Sequence, residues 1–206
     1  MLPYAFFELM GILVAGLVAW QLKMPKIKST HKQDVYICGI LGMLIGMKLP
    51  VLISYGLSSD FIFNGKSYMG GVLGAFFGIN LYKLLTHQTQ LSFGGRFVIP
   101  LSIAVGFGKI GCLFNGCCGG HFFIPIQLLE SAFQFLMAGF LYLFYKRTNR
   151  IDLLFPIYLL SYLIMRFIVE FIRIEPRIIG PFTIYHILAL IFIPVLIVVL
   201  WRRNYA

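Results

Sequence analysis

Seven runs of apolar residues, each close to the length an α-helix needs to cross a bilayer, fill almost the whole chain. They lie at roughly 3–22, 36–56, 68–86, 97–115, 122–145, 153–174 and 181–201. A helix rising about 1.5 Å per residue needs about 20 residues to cross a hydrocarbon core of about 30 Å. In that medium each backbone N–H and C=O must find a partner inside its own segment, so such runs form helices. The links between them are short and leave no room for a soluble domain. Of the 206 residues, 60% are hydrophobic and 12% are charged, and no soluble domain of this size hides so much apolar surface. The expectation is an all-α integral membrane protein with seven transmembrane helices, a single transmembrane domain over 1–206. The first run has no basic flank before it and no small-residue cleavage site after it, so it reads as a span and not as a cleavable signal peptide.

The basic residues orient the spans. Links one, three and five and the C-terminal tail hold 11 of the 17 Lys and Arg residues, whereas the opposite links hold only Lys66 and Arg177. Cytoplasmic loops carry the excess of Lys and Arg. The N-terminus is therefore expected outside and the C-terminus in the cytoplasm. The same placement accounts for most of the net charge of +10 without a nucleic-acid partner.

Four cations remain, Lys48, Lys109, Arg166 and Arg173, together with three acids, Glu8, Glu130 and Glu170, all within or at the ends of apolar runs. A charge at the bilayer centre costs roughly 3 kcal/mol unless paired or hydrated, so such residues are functional candidates. They can neutralise one another as structural pairs. The excess of cations over acids argues instead for an anionic guest.

The stretch at 106–120, GFGKIGCLFNGCCGG, joins Lys109 and Asn115 to six glycines and three of the four cysteines. Glycine-broken backbone at membrane depth lines a protein-walled cavity, which makes this stretch a candidate wall of the anion site. Gln127, Glu130 and Gln134 recur at spacings of three and four, as do Tyr162, Arg166, Glu170 and Arg173. Each set shares one helix face. A tyrosine, a carboxylate and two guanidiniums in line suit a phosphate, which guanidinium binds bidentately. Gly70, Gly74 and Gly78 share a face on the third run, and Gly42 and Gly46 on the second. Such spacing allows close helix packing; Gly70 and Gly71 at the outer end also leave space for a head group. Cys112, Cys117 and Cys118 are possible thiols, but their spacing is not a common zinc pattern. Neither metal nor cofactor is expected.

These motifs resemble the bacterial prolipoprotein diacylglyceryl transferase family. The family signature, approximately G-R-x-G-N-F-x-N-G-E-x-x-G, is met here by GKIGCLFNGCCGG, with Gly108, Gly111, Asn115, Gly116 and Gly120 in register. PIQLLE at 125–130 is similar to the family's P-x-Q-L-Y-E, RFIVEFIR at 166–173 to its sixth-segment motif, and GGVLG at 70–74 to H-G-G-L-x-G. Tyr4 and Tyr162 also stand where the family has tyrosines, and Lys48 where it has an arginine. The resemblance implies a membrane enzyme that moves the diacylglyceryl group of phosphatidylglycerol onto a cysteine thiol of a lipoprotein precursor or peptide and releases glycerol phosphate, in the bacterial inner membrane. In that frame Lys109, Arg166 and Arg173 clamp the anion with help from Lys48. Asn115, Gly116, Gly70, Gly71, Tyr162 and Tyr4 bind substrate, and Glu130 and Glu170 position the cations.

The chain departs from the family pattern at several positions. Lys109, Cys112 and Cys117 replace arginine, asparagine and glutamate, and Met69 replaces the histidine before the glycine pair. Methionine cannot take a proton, so the base is open between His121 and His186, with Glu170 a further candidate. About four residues, 120–123, stand where the family carries a sizeable extracytoplasmic insertion. Two alternatives follow: a related phospholipid-dependent transferase with another acceptor, and a non-catalytic phospholipid-binding or transport member.

Overall fold

A computed structural model describes residues 2–22, 32–57, 65–87, 94–116, 119 and 125–205. Eight α-helices form among them: α1 (Leu2–Gln21), α2 (Lys32–Gly46), α3 (Leu49–Tyr55), α4 (Tyr68–Leu85), α5 (Val98–Phe114), α6 (Ile126–Thr148), α7 (Ile151–Glu170) and α8 (Ile184–Tyr205). Each apolar run of the sequence becomes helix. Six stretches are long and apolar enough to cross a membrane, the second of them Gln33–Tyr55 across α2 and α3, and α5 is a shorter apolar helix of 17 residues. The chain is a multi-pass membrane protein. The single span expected at 36–56 is two helices, broken at Met47–Lys48. Pro50 explains the break: it has no N–H to return to Gly46 and is tolerated in the first turn of a new helix.

The chain divides into two compact units. One comprises Met1–Pro25, Gly94–Ile174 and Leu196–Ala206, the other Lys26–Phe93 and Glu175–Val195.

In the second unit, α2 and α4 meet backbone to backbone. A Cβ on Gly46 would lie 2.7 Å from the Cα of Gly74, and one on Gly74 would run into the Gly42 carbonyl. This is the small-residue seam that spacing predicted. Gly70 belongs to it as well, since its missing Cβ would sit 2.7 Å from the Pro50 ring. The start of α4 is tied to the break: the Ser67 N–H donates to the Met47 carbonyl at 2.9 Å, and the Ser67 hydroxyl caps the helix by accepting from the Gly70 N–H at 3.2 Å.

In the first unit, α1 packs on α5. Gly11 lies against Ala104 and Phe107, Gly111 lies against Tyr4 and Phe7, and the Phe7 and Phe114 rings stack at 5.1 Å. An apolar core formed by Val98, Ile99, Leu141, Leu154 and Tyr158 joins α5, α6 and α7. Pro156 stands inside α7 and leaves the Asp152 carbonyl without its usual helical donor. The Arg203 guanidinium takes that carbonyl, while Arg150 Nη2 donates to the Arg203 carbonyl at 2.5 Å and to Asp152 Oδ2 at 2.9 Å.

Candidate active site

Helices α5, α6 and α7 bring five ionisable side chains of the first unit together. Glu130, on α6, is the hub. One of its carboxylate oxygens pairs with Lys109 Nζ from α5; the other lies 2.7 Å from Arg166 Nη1 on α7 and 3.5 Å from Arg173 Nη1. Arg166 turns its second terminal nitrogen to Glu170 Oε2 at 3.0 Å, and Arg173 Nε lies 3.7 Å from that same oxygen. Among the described residues three cations face two carboxylates, leaving one net positive charge.

Burial sharpens the picture. Both carboxylates are at most 1% exposed and both guanidiniums 6%, but Lys109 is 14% exposed. Its neighbour Gly108 has open space where a Cβ would be. Lys109 is therefore the member of the cluster most open to a ligand. Unpaired charges in such a place would be prohibitive, and one excess cation is what an anion completes.

A family model for "Prolipoprotein diacylglyceryl transferase" matches residues 2–202. The chain belongs to that family. It is similar to the phosphatidylglycerol–prolipoprotein diacylglyceryl transferase of Clostridium tetani, with 28% identity over 203 residues, 84% of this chain and 81% of the relative. It is also similar to the second such transferase of Clostridium perfringens, 31% identical over 134 residues, 55% of this chain and 52% of the relative. The transferase of Idiomarina loihiensis is 28% identical over 180 residues, 74% of this chain and 66% of the relative.

Within this diacylglyceryl transferase fold the polar stripe read from the sequence of α6 faces protein: Gln127, Glu130 and Gln134 are all buried. Tyr162 is buried on α7, with its ring stacked on Tyr158. Arg173 lies just past the end of α7, so the turn after Glu170, not a continued helix, returns it to Glu130. Asn115 and Gly116 end α5. The Asn115 N–H donates to the Gly111 carbonyl, Gly116 takes φ +66, and both are exposed. Tyr4 packs over Gly111. Cys112 is half-buried on α5, and Glu8 is exposed on α1. Cys117, Cys118 and His121 lie outside the described residues.

The candidates in the second unit have their own partners there. Lys48 Nζ donates to the Gly65 carbonyl at 2.9 Å. Gly71 sits at ordinary contact distance from Met43 and Met47, and Met69 is buried. His186 is fully buried, and its Nδ1 accepts the Thr183 N–H at 3.2 Å. An acceptor Nδ1 places the proton of a neutral imidazole on Nε2. His186 thus caps the first turn of α8.

Three residues that sequence reading passed over hold the helices of the first unit together. The Ser102 hydroxyl lies 2.6 Å from the Gln134 carbonyl and 2.9 Å from its side-chain Oε1, Tyr158 OH donates to that Oε1 at 2.9 Å, and Ser131 donates to the Gly106 carbonyl at 2.9 Å. The signal for one of them was present: Ser102 precedes Gly106 by four residues and Lys109 by seven, which is the face-sharing spacing of a helix.

Proposed function

We propose that this chain transfers the diacylglyceryl group of phosphatidylglycerol to the cysteine thiol of a lipoprotein precursor, as a seven-span protein of the bacterial inner membrane with its N-terminus outside. What supports this most is the buried cluster with one more cation than carboxylate, in a member of a family whose named relatives act on an anionic phospholipid.

The phosphodiester docks on Lys109. Arg166 and Arg173, held by Glu130 and Glu170, supply positive potential behind it. Asn115 and the backbone at Gly116 orient the head group at the open end of α5, and Tyr162 lines the site beside Arg166. The cysteine sulfur attacks the glyceryl carbon that carries the phosphate. An S–C bond forms as the C–O bond breaks, the electron pair passes to the phosphate oxygen, and glycerol phosphate leaves. The charge gained by that oxygen is what a fixed cationic site stabilises. The thiol must lose its proton. His186 caps α8 and Glu170 is paired with Arg166 and Arg173, which leaves His121 as the proposed acceptor.

Purified protein in phosphatidylglycerol vesicles with a cysteine-bearing precursor peptide tests the reading. The expected result is a thioether-linked diacylglyceryl peptide by mass spectrometry and an equal amount of glycerol phosphate. Glycerol phosphate without modified peptide would mean another acceptor, a reading that Met69 in place of the family histidine favours. Lipid binding without turnover would overturn transferase activity altogether.

A further inference from the structure

The bonds among Ser102, Gln134 and Tyr158 form the far end of a polar column that ends at the ion cluster. On α5 the column runs through Ser102, Gly106 and Lys109; on α6 from Gln134 to the adjacent pair Ser131 and Glu130; on α7 through Tyr158, Tyr162 and Arg166. Spacings of three and four align the residues of α5 and α7 and set Ser131 and Glu130 each one turn from Gln134, and cross-bonds fix the levels. At the far level, the Ser102 hydroxyl shares its proton between the Gln134 backbone carbonyl at 2.6 Å and its side-chain Oε1 at 2.9 Å, and Oε1 also accepts from Tyr158 at 2.9 Å, so one residue touches both flanking helices. At the middle level, Ser131 Oγ donates to the Gly106 carbonyl, and the Tyr158 and Tyr162 rings stack at 6.1 Å with planes 10° apart. At the near level, Glu130 pairs with Lys109 and Arg166.

We infer that Gln134, Ser102 and Tyr158 are positioning residues for the transfer reaction: they lock the register of α5, α6 and α7 so that Lys109 and Arg166 meet over Glu130. This rests on the proposed function, since it takes the cluster to be the reacting site. The physical reason is that apolar contacts between membrane helices leave sliding and rotation poorly specified, because lipid is as apolar as leucine. Directional bonds to a single buried amide do specify it. Ser102 and Gln134 are at most 1% exposed and Tyr158 is fully buried, so water does not compete for these bonds. A slip of α7 by a fraction of a turn would move Arg166 off the Glu130 oxygen at 2.7 Å.

The test compares Tyr158→Phe, Ser102→Ala, Gln134→Leu and Gln134→Glu in phosphatidylglycerol proteoliposomes. Glycerol phosphate release is normalised to folded, monodisperse protein. Gln134→Glu, which burial favours as the neutral acid, keeps an oxygen that accepts both bonds. The expected result is that kcat per folded molecule falls on the order of tenfold to a hundredfold in Gln134→Leu, because small misplacements of a reacting group cost that much. KM for the phospholipid stays within about twofold, since the loss is borne by the transition state, and Gln134→Glu recovers most of the rate. Tyr158→Phe and Ser102→Ala, milder changes that keep the packing, show the same split with smaller losses. A kcat per folded molecule that stays at the wild-type value in all four variants, with only thermal stability reduced, overturns the inference and makes the bonds purely structural. Lys109→Met and Arg166→Met run alongside. If both keep full turnover, the site reading itself fails; if both lose it while Gln134→Leu does not, only the positioning role fails.

Discussion

Glu130 accepts from Arg166 Nη1 at 2.7 Å across the α6–α7 interface while its other oxygen engages Lys109. One carboxylate thus orders both cations that the proposed chemistry needs. The arrangement is asymmetric in its sensitivity. Removing a cation lowers local charge, whereas removing the hub leaves three cations with a single carboxylate.

Glu130→Ala is therefore expected to destabilise the protein more than any single cation variant. Breaking a buried pair from one side costs about 3–5 kcal/mol. Unfolding in mixed micelles, compared with Lys109→Met, measures the difference; equal losses would show that Glu130 is not the hub.

Lys109→Met and Arg166→Met should each cut turnover by about a hundredfold or more, the scale seen when one charge-stabilising group is removed, while both proteins still insert. Arg166→Lys keeps charge but not the fork that spans Glu130 and Glu170. It is expected to fall between wild type and Arg166→Met. Glycerol phosphate release from phosphatidylglycerol vesicles checks the order.

His186 is expected to be silent in the pH profile. Its Nδ1 accepts from the Thr183 N–H, so replacing it by Gln leaves the activity profile between about pH 5.5 and 8, the range in which an ordinary histidine titrates, unchanged in shape. His186→Leu loses the cap and about 1 kcal/mol of stability. A profile that loses a limb in His186→Gln would make His186 the base.

Arg203→Met should destabilise the protein by about 1–3 kcal/mol, because it strands the Asp152 carbonyl that Pro156 leaves without a helical donor. In a Pro156→Ala background the helix supplies its own donor, and the same change is expected to cost clearly less. Thermal unfolding of the four proteins of this cycle reads the difference.

Much of the architecture was legible in the sequence because a membrane helix announces itself by length and composition. Six of the seven apolar runs each overlap one helix, while the run at 36–56 divides into α2 and α3, and the spacing of Gln127, Glu130 and Gln134 gave the buried face of α6. Charges in apolar runs pointed to Lys109, Glu130, Arg166, Glu170 and Arg173 before their distances were known. Two kinds of information were not there. The break at Met47–Lys48 also depends on where the carbonyls at the end of α2 find donors, a tertiary matter in which the Ser67 N–H takes the Met47 carbonyl. Lys48 and His186 carry the right chemistry for a site, yet their bonds go to Gly65 and Thr183, and no periodicity reveals a lysine that holds a loop or a histidine that caps a helix. Ser102 and Tyr158 were passed over because a hydroxyl in an apolar run carries no charge to draw notice.

The glycine seam between α2 and α4 has a consequence for biogenesis. Its two halves are consecutive segments of the chain, and it needs neither a distant partner nor an ion to close. The hairpin can zip together in the bilayer while later segments are still being synthesised, so that α5, α6 and α7 bring their charges into a membrane that already holds an assembled piece of the enzyme.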